Sequence, residues 1–142
     1  MPYLLDTDHV TLVQQDNAAG RRLMNRLDRV PTDDVATSVV TYQEQLQGWL
    51  AYLNRSASAE EILEDYERLD KVRRAFERYN VLNFDRSAQT MFESLRPKCR
   101  RIGRLDLRIA SVALATDSTL LTRNFADFEQ VPGLKFEDWT QS

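Results

Sequence analysis

The alternation of apolar and polar positions predicts short strands separated by helices. Residues 3–5 form an apolar run that stops abruptly at Asp6, which is typical of a buried strand with polar residues at its end. Four similar runs predict further strands, the last of them weak, over residues 35–39, 81–84, 119–122 and 134–136. The chain therefore supplies about five short strands.

Helical periodicity between these runs predicts several amphipathic helices. The clearest begins at Ser58, where Ser58 and Glu61 form a capping box, and it should end near Tyr79. Further helices are predicted after Asn17, over residues 42–53, over residues 85–95 and over residues 104–117, the last of them lying against the sheet. Short strands that alternate with helices favour a parallel sheet covered on both faces, a three-layer α/β/α sandwich.

Length and composition limit the class of protein. The 142 residues fit one compact domain over residues 1–142, and 42% hydrophobic with 29% charged residues provide a core under a solvated surface. The apolar runs are far shorter than the roughly 20 residues of a membrane span. Asp6 and Asp8 interrupt the N-terminal apolar run, which excludes a signal peptide there. We expect a cytoplasmic protein without membrane contact.

The scarcity of cysteine and histidine excludes several kinds of site. Cys99 is the only cysteine, so no internal disulfide forms, and His9 is the only histidine. A zinc site built from Cys and His is therefore excluded, and so is a Ser-His-Asp triad that requires another base. The net charge of −3 argues against a uniformly positive nucleic-acid-binding surface, so the distribution of charge must decide.

Polar residues follow several of the predicted strands. In an open parallel sheet, ligands bind outside the carboxyl ends of the strands. Asp6 ends the first strand, Glu44 lies in the first turn of the helix after the second, and Asn124 and Asp127 follow the fourth. Asp106 begins the buried helix, which starts at this same edge if it packs antiparallel to the next strand. We expect all five side chains to share one edge of the sheet.

Carboxylates gathered without matching Lys or Arg repel one another unless a cation neutralises them, which points to Mg²⁺ or Mn²⁺. A structural alternative exists for most of them. Thr41 and Glu44 fit a capping box, Asn124 and Asp127 fit an N-cap pair, and Asp106 lies near the positive end of a helix. Asp6 is harder to explain in this way, because an unpaired buried carboxylate costs several kcal/mol on the order of transfer data.

Five segments together resemble the PIN-domain ribonucleases, particularly the VapC-like toxins of bacterial toxin–antitoxin systems. They are YLLDT at 3–7, SVVTYQE at 38–44 with Gly48, IGRLDLRIA at 102–110, LTRNFADF at 121–128 and VPGLKFEDW at 131–139. The resemblance implies a PIN-like fold in which Asp6, Glu44, Asp106 and, more variably, Asp127 bind one or two Mg²⁺ or Mn²⁺ ions and cleave RNA.

The resemblance also implies partners: an RNA substrate, with tRNA as one candidate, a second copy of the chain in a homodimer, and a small antitoxin that blocks the toxin's inhibition of translation or growth. One departure concerns Asp8, because the family commonly has Asn at this position. We place Thr7 and Asp8 in an auxiliary role, and the part played by Asp8 stays open.

RNA binding requires positive charge near the acids. Basic residues crowd around Asp106, and Arg100, Arg101 and Arg104 are our candidates there, with Arg123 and Asn124 as candidates nearer the metal. Arg96, Lys98 and Arg108 belong to the same crowd. The alternative is that these charges only solvate a helix and a loop.

Two other functions remain open on the sequence. A haloacid-dehalogenase-like phosphatase would use the Asp-Thr-Asp at 6–8, although no suitably placed later lysine or Gly-Asp accompanies it. A PIN domain without turnover would bind RNA or a partner only. A covalent aspartyl-phosphate would identify the phosphatase, and RNA cleavage that a chelator abolishes would identify the nuclease.

Overall fold

The computed structural model describes residues 2–141, and this part of the chain contains five strands and seven α-helices. The strands are β1 (Tyr3–Leu5), β2 (Val35–Ser38), β3 (Asn80–Leu82), β4 (Thr119–Leu121) and β5 (Phe136–Glu137). All pair in parallel, in the order β3-β2-β1-β4-β5. β1 is therefore the central strand, with the carboxyl ends of β2 and β4 on either side of its own.

The helices are α1 (Thr7–Val13), α2 (Ala18–Leu27), α3 (Val39–Arg55), α4 (Ala59–Glu77), α5 (Arg86–Leu95), α6 (Arg104–Ala115) and α7 (Phe125–Phe128). They bury both faces of the sheet. Leu4 of β1 packs in one apolar cluster with Ile109 of α6, while the next residue, Leu5, packs in a second cluster with Val72 of α4. Successive strand residues point to opposite faces, so two cores form around one sheet. The predicted three-layer α/β/α sandwich is confirmed.

The boundary between β2 and α3 differs from the prediction. The strand ends at Ser38, and Val39, expected in the strand, begins the helix. The Ser38 hydroxyl accepts the backbone N–H of Thr41 at 3.1 Å, so Ser38 is the N-cap. The predicted capping box of Thr41 and Glu44 is therefore wrong, because Glu44 lies one turn further into the helix. Its carboxylate loses the structural explanation that the sequence offered.

Helix α1 was not expected from the sequence. The Asp6 carboxylate accepts the backbone N–H of His9 at 2.8 Å and caps this helix, whose residues His9, Val10 and Leu12 are buried. β-branched residues have low helix propensity, so the cap and the packing, rather than propensity, hold this short helix. Asp6 thus has a structural role as the N-cap of α1, although the sequence made a structural explanation harder to find for it than for the other acids.

Other predicted helix starts are confirmed. Ser58 caps α4, Asn17 caps α2, Asp85 caps α5 and Asn124 caps α7 through their side-chain oxygens. The ends of β3, β4 and β5 differ from the predicted runs by one or two residues. Within residues 2–141, no helix combines the length and the apolar character that crossing a membrane requires.

Candidate functional site

Four carboxylates meet where β1, β2 and β4 end. Burial and three neighbouring carboxylates raise the pKa of Asp106 to about 6. Those neighbours are Glu44, Asp6 and Asp127. They come from α3, from the end of β1 and from α7, so elements distant in sequence converge on the first turn of α6. We call Asp6, Glu44, Asp106 and Asp127 the acid cluster.

Hydrogen bonds from two side chains and one backbone N–H hold three members of the acid cluster in place. The Thr7 hydroxyl donates to Glu44 Oε1 at 2.7 Å and links α1 to α3. The Asn124 amide donates to Asp127 Oδ2 at 2.8 Å, and the His9 backbone N–H donates to Asp6 Oδ1. Each of these bonds engages one carboxylate oxygen, so the other oxygen of each group can bind a cation. The hydrogen bonds reduce the freedom of the acids without cancelling their charge.

Lysine and arginine side chains form no ion pairs with the acid cluster in the described part of the chain. Arg123 follows β4 at the same edge, but its Nε and Nη2 donate to the two oxygens of Asp8 at 2.6 and 2.8 Å. Clustered oxygen ligands with unbalanced negative charge suit a hard divalent cation such as Mg²⁺ or Mn²⁺.

A second group of possible ligands shares Asp6 with the acid cluster. Asp6, Asp8 and His9 each offer one ligand atom, and these atoms lie within 4.8 Å of one another. His9 is fully buried, with Nδ1 3.4 Å from Asp6 and Nε2 3.9 Å from Asp138, and neither ring nitrogen forms a hydrogen bond with any residue from 2 to 141. Asp8 is already paired with Arg123, and this ion pair competes with a role of Asp8 as a metal ligand. The sequence did not predict that His9 lies near Asp138, because the two residues are far apart along the chain.

The arginines around Asp106 include two with structural contacts and three that are exposed. Arg96 donates to the backbone carbonyl of Ile102 at 2.7 Å, and the guanidinium of Arg108 lies over the Phe92 ring at 5.2 Å. These two arginines therefore support the local structure. The three candidates for RNA contact, Arg100, Arg101 and Arg104, are all exposed at the entrance to α6.

Comparison with known proteins identifies the fold family. The family model described as "PIN domain" matches residues 3–134, which include the sheet except its last strand and all four residues of the acid cluster. The chain belongs to the PIN-domain family. The resemblance seen in the sequence is thereby confirmed across nearly the whole chain.

Individual relatives and solved structures are similar to this chain over nearly its whole length. The chain is 28% identical to "Ribonuclease VapC1" of Haemophilus influenzae (strain R2866), over 99% of this chain and 100% of the relative. Among solved structures, VapBC-1 from nontypeable Haemophilus influenzae superposes with a TM-score of 0.78 at 24% identity, covering 99% and 100% of the two chains. VapBC2 from Rickettsia felis, bound to a DNA fragment from its promoter, gives 0.72 at 23%, covering 98% and 99%. These structures share the fold of this chain.

The phosphatase alternative is not favoured. The family match is to the PIN domain, and Asp8, which a phosphatase would need beside Asp6, is held in an ion pair with Arg123. Asp6 itself caps α1 through one oxygen. The binding-only alternative is not favoured either, because all four acids that the resemblance requires are present and converge.

Proposed function

We propose that this PIN-domain protein is a metal-dependent endoribonuclease that acts as a VapC-like toxin. The observation that carries the proposal is the acid cluster, in which burial and three like charges raise the pKa of Asp106 to about 6. Such an arrangement is unfavourable for folding alone and becomes favourable when a divalent cation binds. The relatives named ribonuclease support RNA as the substrate.

Asp6, Glu44, Asp106 and Asp127 would hold Mg²⁺ or Mn²⁺. When bound, the cation would supply Lewis acidity toward the phosphate and toward the attacking water. Thr7 keeps the Glu44 carboxylate oriented, and Asn124 does the same for Asp127. A carboxylate of the cluster accepts the proton of the water that attacks phosphorus in line. The RNA 2′-hydroxyl takes no part, and the products carry 5′-phosphate and 3′-hydroxyl ends.

Arg100, Arg101 and Arg104 would attract the RNA backbone, with Arg123 and Asn124 binding nearer the acids. Joint replacement of the first three arginines by Gln should weaken RNA binding and flatten its dependence on salt, because fewer counterions are released. Metal binding should persist in this variant. An unchanged salt dependence would assign these arginines to a solvated surface.

A small antitoxin and a second copy of the chain are the proposed protein partners. Helices α3 and α4 leave large apolar side chains exposed, among them Tyr52 at 52%, Leu63 at 68% and Tyr66 at 56%. Exposed apolar side chains on two helices that pack together are one place where a protein partner could bind. Solved VapBC toxin–antitoxin structures share the fold. We place the protein in the cytoplasm. A reducing compartment keeps a free thiol such as that of Cys99 reduced, and the proposed RNA substrate, for example tRNA, is found there.

The deciding experiment is cleavage of a labelled single-stranded RNA by the purified protein. Mg²⁺ or Mn²⁺ should support internal cleavage, EDTA should abolish it, and added metal should restore it. The ends of the fragments should be 5′-phosphate and 3′-hydroxyl. Cleavage that persists in EDTA, or a covalent aspartyl-phosphate formed with a phosphate ester, would contradict the proposed function.

A further inference from the structure

Asp8 and Arg123 form an ion pair beside the acid cluster. Arg123 Nε donates to Asp8 Oδ2 at 2.6 Å, and Nη2 donates to Oδ1 at 2.8 Å, so the guanidinium meets the carboxylate side-on. Each side chain keeps 44% of its area exposed. Two parallel hydrogen bonds fix the plane of the guanidinium as well as its position. The pair is therefore both accessible and oriented.

The fold brings these two residues together from opposite ends of the chain. β1 and β4 are neighbours in the sheet, with Leu5 opposite Leu121, so the segments after the two strands emerge side by side. Asp8 lies in the first turn of α1, and Arg123 lies in the segment between β4 and α7. The charges of Asp6 and Asp138 also act on the pKa of Arg123, after the larger effect of Asp8. Arg123 thus lies within electrostatic reach of the acid cluster.

The carboxylate of Asp8 is unexpected at this place. An extra negative charge beside a site for a polyanion should repel the substrate. The hydrogen bonds to Arg123 explain its presence, because they occupy one edge of the guanidinium and leave three of its five N–H groups as donors. A guanidinium in this state can still bind a phosphate oxygen, and it is held from swinging onto Asp6.

We propose that Arg123 binds a phosphate of the RNA beside the scissile bond and that Asp8 is a positioning residue which orients its guanidinium. This inference rests on the ribonuclease function proposed above. It assigns Asp8 a role through Arg123 instead of a role as a metal ligand.

A double-mutant cycle tests the proposal, with Asp8→Ala, Arg123→Gln and the double variant. RNA binding is measured by fluorescence anisotropy in an Asp106→Asn background, so that cleavage does not disturb it. Arg123→Gln should weaken binding about tenfold and reduce the slope of log affinity against log salt by about 0.7, the value for one phosphate contact on a single strand. Asp8→Ala should weaken binding less, and the double variant should bind no more weakly than Arg123→Gln alone.

Two further measurements separate positioning from other roles. Arg123→Lys keeps the charge but cannot form the side-on pair, so it should retain the salt slope and lose affinity to about the same degree as Asp8→Ala. With Asp106 restored, Asp8→Ala should raise the KM for RNA more than it lowers kcat. Mn²⁺ binding, followed by electron paramagnetic resonance, should be unchanged in Asp8→Ala, and thermal melting identifies any variant that fails to fold.

Several results would overturn the inference. Tighter RNA binding by Asp8→Ala would show that Asp8 only repels the substrate, and additive losses in the double variant would show that the two residues act independently. Weaker Mn²⁺ binding by Asp8→Ala would make Asp8 a metal ligand. Absence of RNA binding in every protein of the cycle would also reject it. Failure of wild-type cleavage with metal rejects the ribonuclease proposal instead, while the binding cycle still decides whether Asp8 acts through Arg123.

Discussion

Asp70 on α4 and Asp106 on α6 are both helical aspartates, and their surroundings are opposite. Arg73 and Arg74 contact the Asp70 carboxylate at 2.7 to 3.0 Å, and the hydrogen bond from Arg73 is the main cause that lowers the pKa of Asp70. Burial and then the neighbouring carboxylates raise the pKa of Asp106 to about 6. The surface of α4 balances its charges locally, whereas the acid cluster leaves like charges together.

This difference shows which charged residues indicate function. Exposed ion pairs on a helix contribute little to stability and are common on protein surfaces. An unbalanced group at the carboxyl edge of a parallel sheet lowers stability in the absence of a ligand, so its presence needs an explanation outside folding. The arrangement of charges, more than their number, therefore locates the site.

The largest effect is expected from Asp106→Asn. The amide keeps the shape of the side chain but removes a charge from the proposed metal ligands, so metal-dependent RNA cleavage should fall on the order of 1,000-fold. Without metal, the variant should melt at a higher temperature than the wild type at pH 7, because a buried like charge has been removed. Cleavage at the wild-type rate would remove Asp106 from the site.

Glu44→Gln should lower cleavage about 100-fold at saturating metal while the fold persists. Ser38, and not Glu44, is bonded at the N-terminus of α3, so the helix keeps its cap. The new amide oxygen can still accept the Thr7 hydroxyl, which now contacts Glu44 Oε1. Thermal melting with and without Mg²⁺, alongside RNA cleavage, tests this. A variant that melts much earlier but cleaves normally per folded molecule would make Glu44 a structural residue.

The local part of this site could be predicted from the sequence. Apolar runs that stop at polar residues place Asp6 and Asn124 at strand ends, and the parallel topology places strand ends on one edge. The first-turn position of Asp106 follows from the periodicity of α6. Each of these inferences needs only a few neighbouring residues, which is why they agree with the structure.

The rest of the site and of the fold depends on contacts between segments that are distant in the sequence. Nothing local indicates that β1 pairs with β4, so the ion pair of Asp8 and Arg123, 115 residues apart, could not be foreseen. The alternative capping box of Thr41 and Glu44 was wrong because two overlapping cap patterns exist, and only the true end of β2 selects Ser38. Helix α1 was not predicted because its β-branched residues favour a strand. In the fold, packing overrides that preference.

The raised pKa of Asp106 predicts how metal binding depends on pH. A proton on this carboxyl competes with the cation, so the apparent affinity for Mn²⁺ should be constant well above pH 6 and fall by up to about tenfold per pH unit below it. Titrations followed by electron paramagnetic resonance measure this. Asp106→Asn should lose this part of the pH dependence. An affinity that is flat from pH 7 to pH 5 in the wild type would contradict the assignment.

In the absence of metal, the free energy of unfolding should also depend on the protonation of Asp106. Unlike metal affinity, it should increase as the pH falls. The folded-state pKa of about 6 exceeds the ordinary value of 3.8, so protonation of Asp106 favours the folded state. This stabilisation is complete below about pH 4 and is lost as the pH rises through 6. After allowance for solvent screening, it amounts to about 1 to 2 kcal/mol. The difference in urea unfolding between wild type and Asp106→Asn isolates it from other titrating groups.

The smallest effect is expected from Asp70→Asn, the same chemical change made on the charge-balanced surface of α4. Its carboxylate already has two arginine partners, so metal affinity and RNA cleavage should equal those of the wild type. Stability should decrease slightly at low salt, and the difference should shrink at high salt because exposed ion pairs are screened. Thermal melts at two salt concentrations and the cleavage assay measure both effects. If Asp70→Asn reduced cleavage as Asp106→Asn does, the loss in the latter could no longer be attributed to the acid cluster. If Asp70→Asn cleaves RNA as fast as the wild type, removing an aspartate's charge affects cleavage only at the edge of the sheet where the strands end.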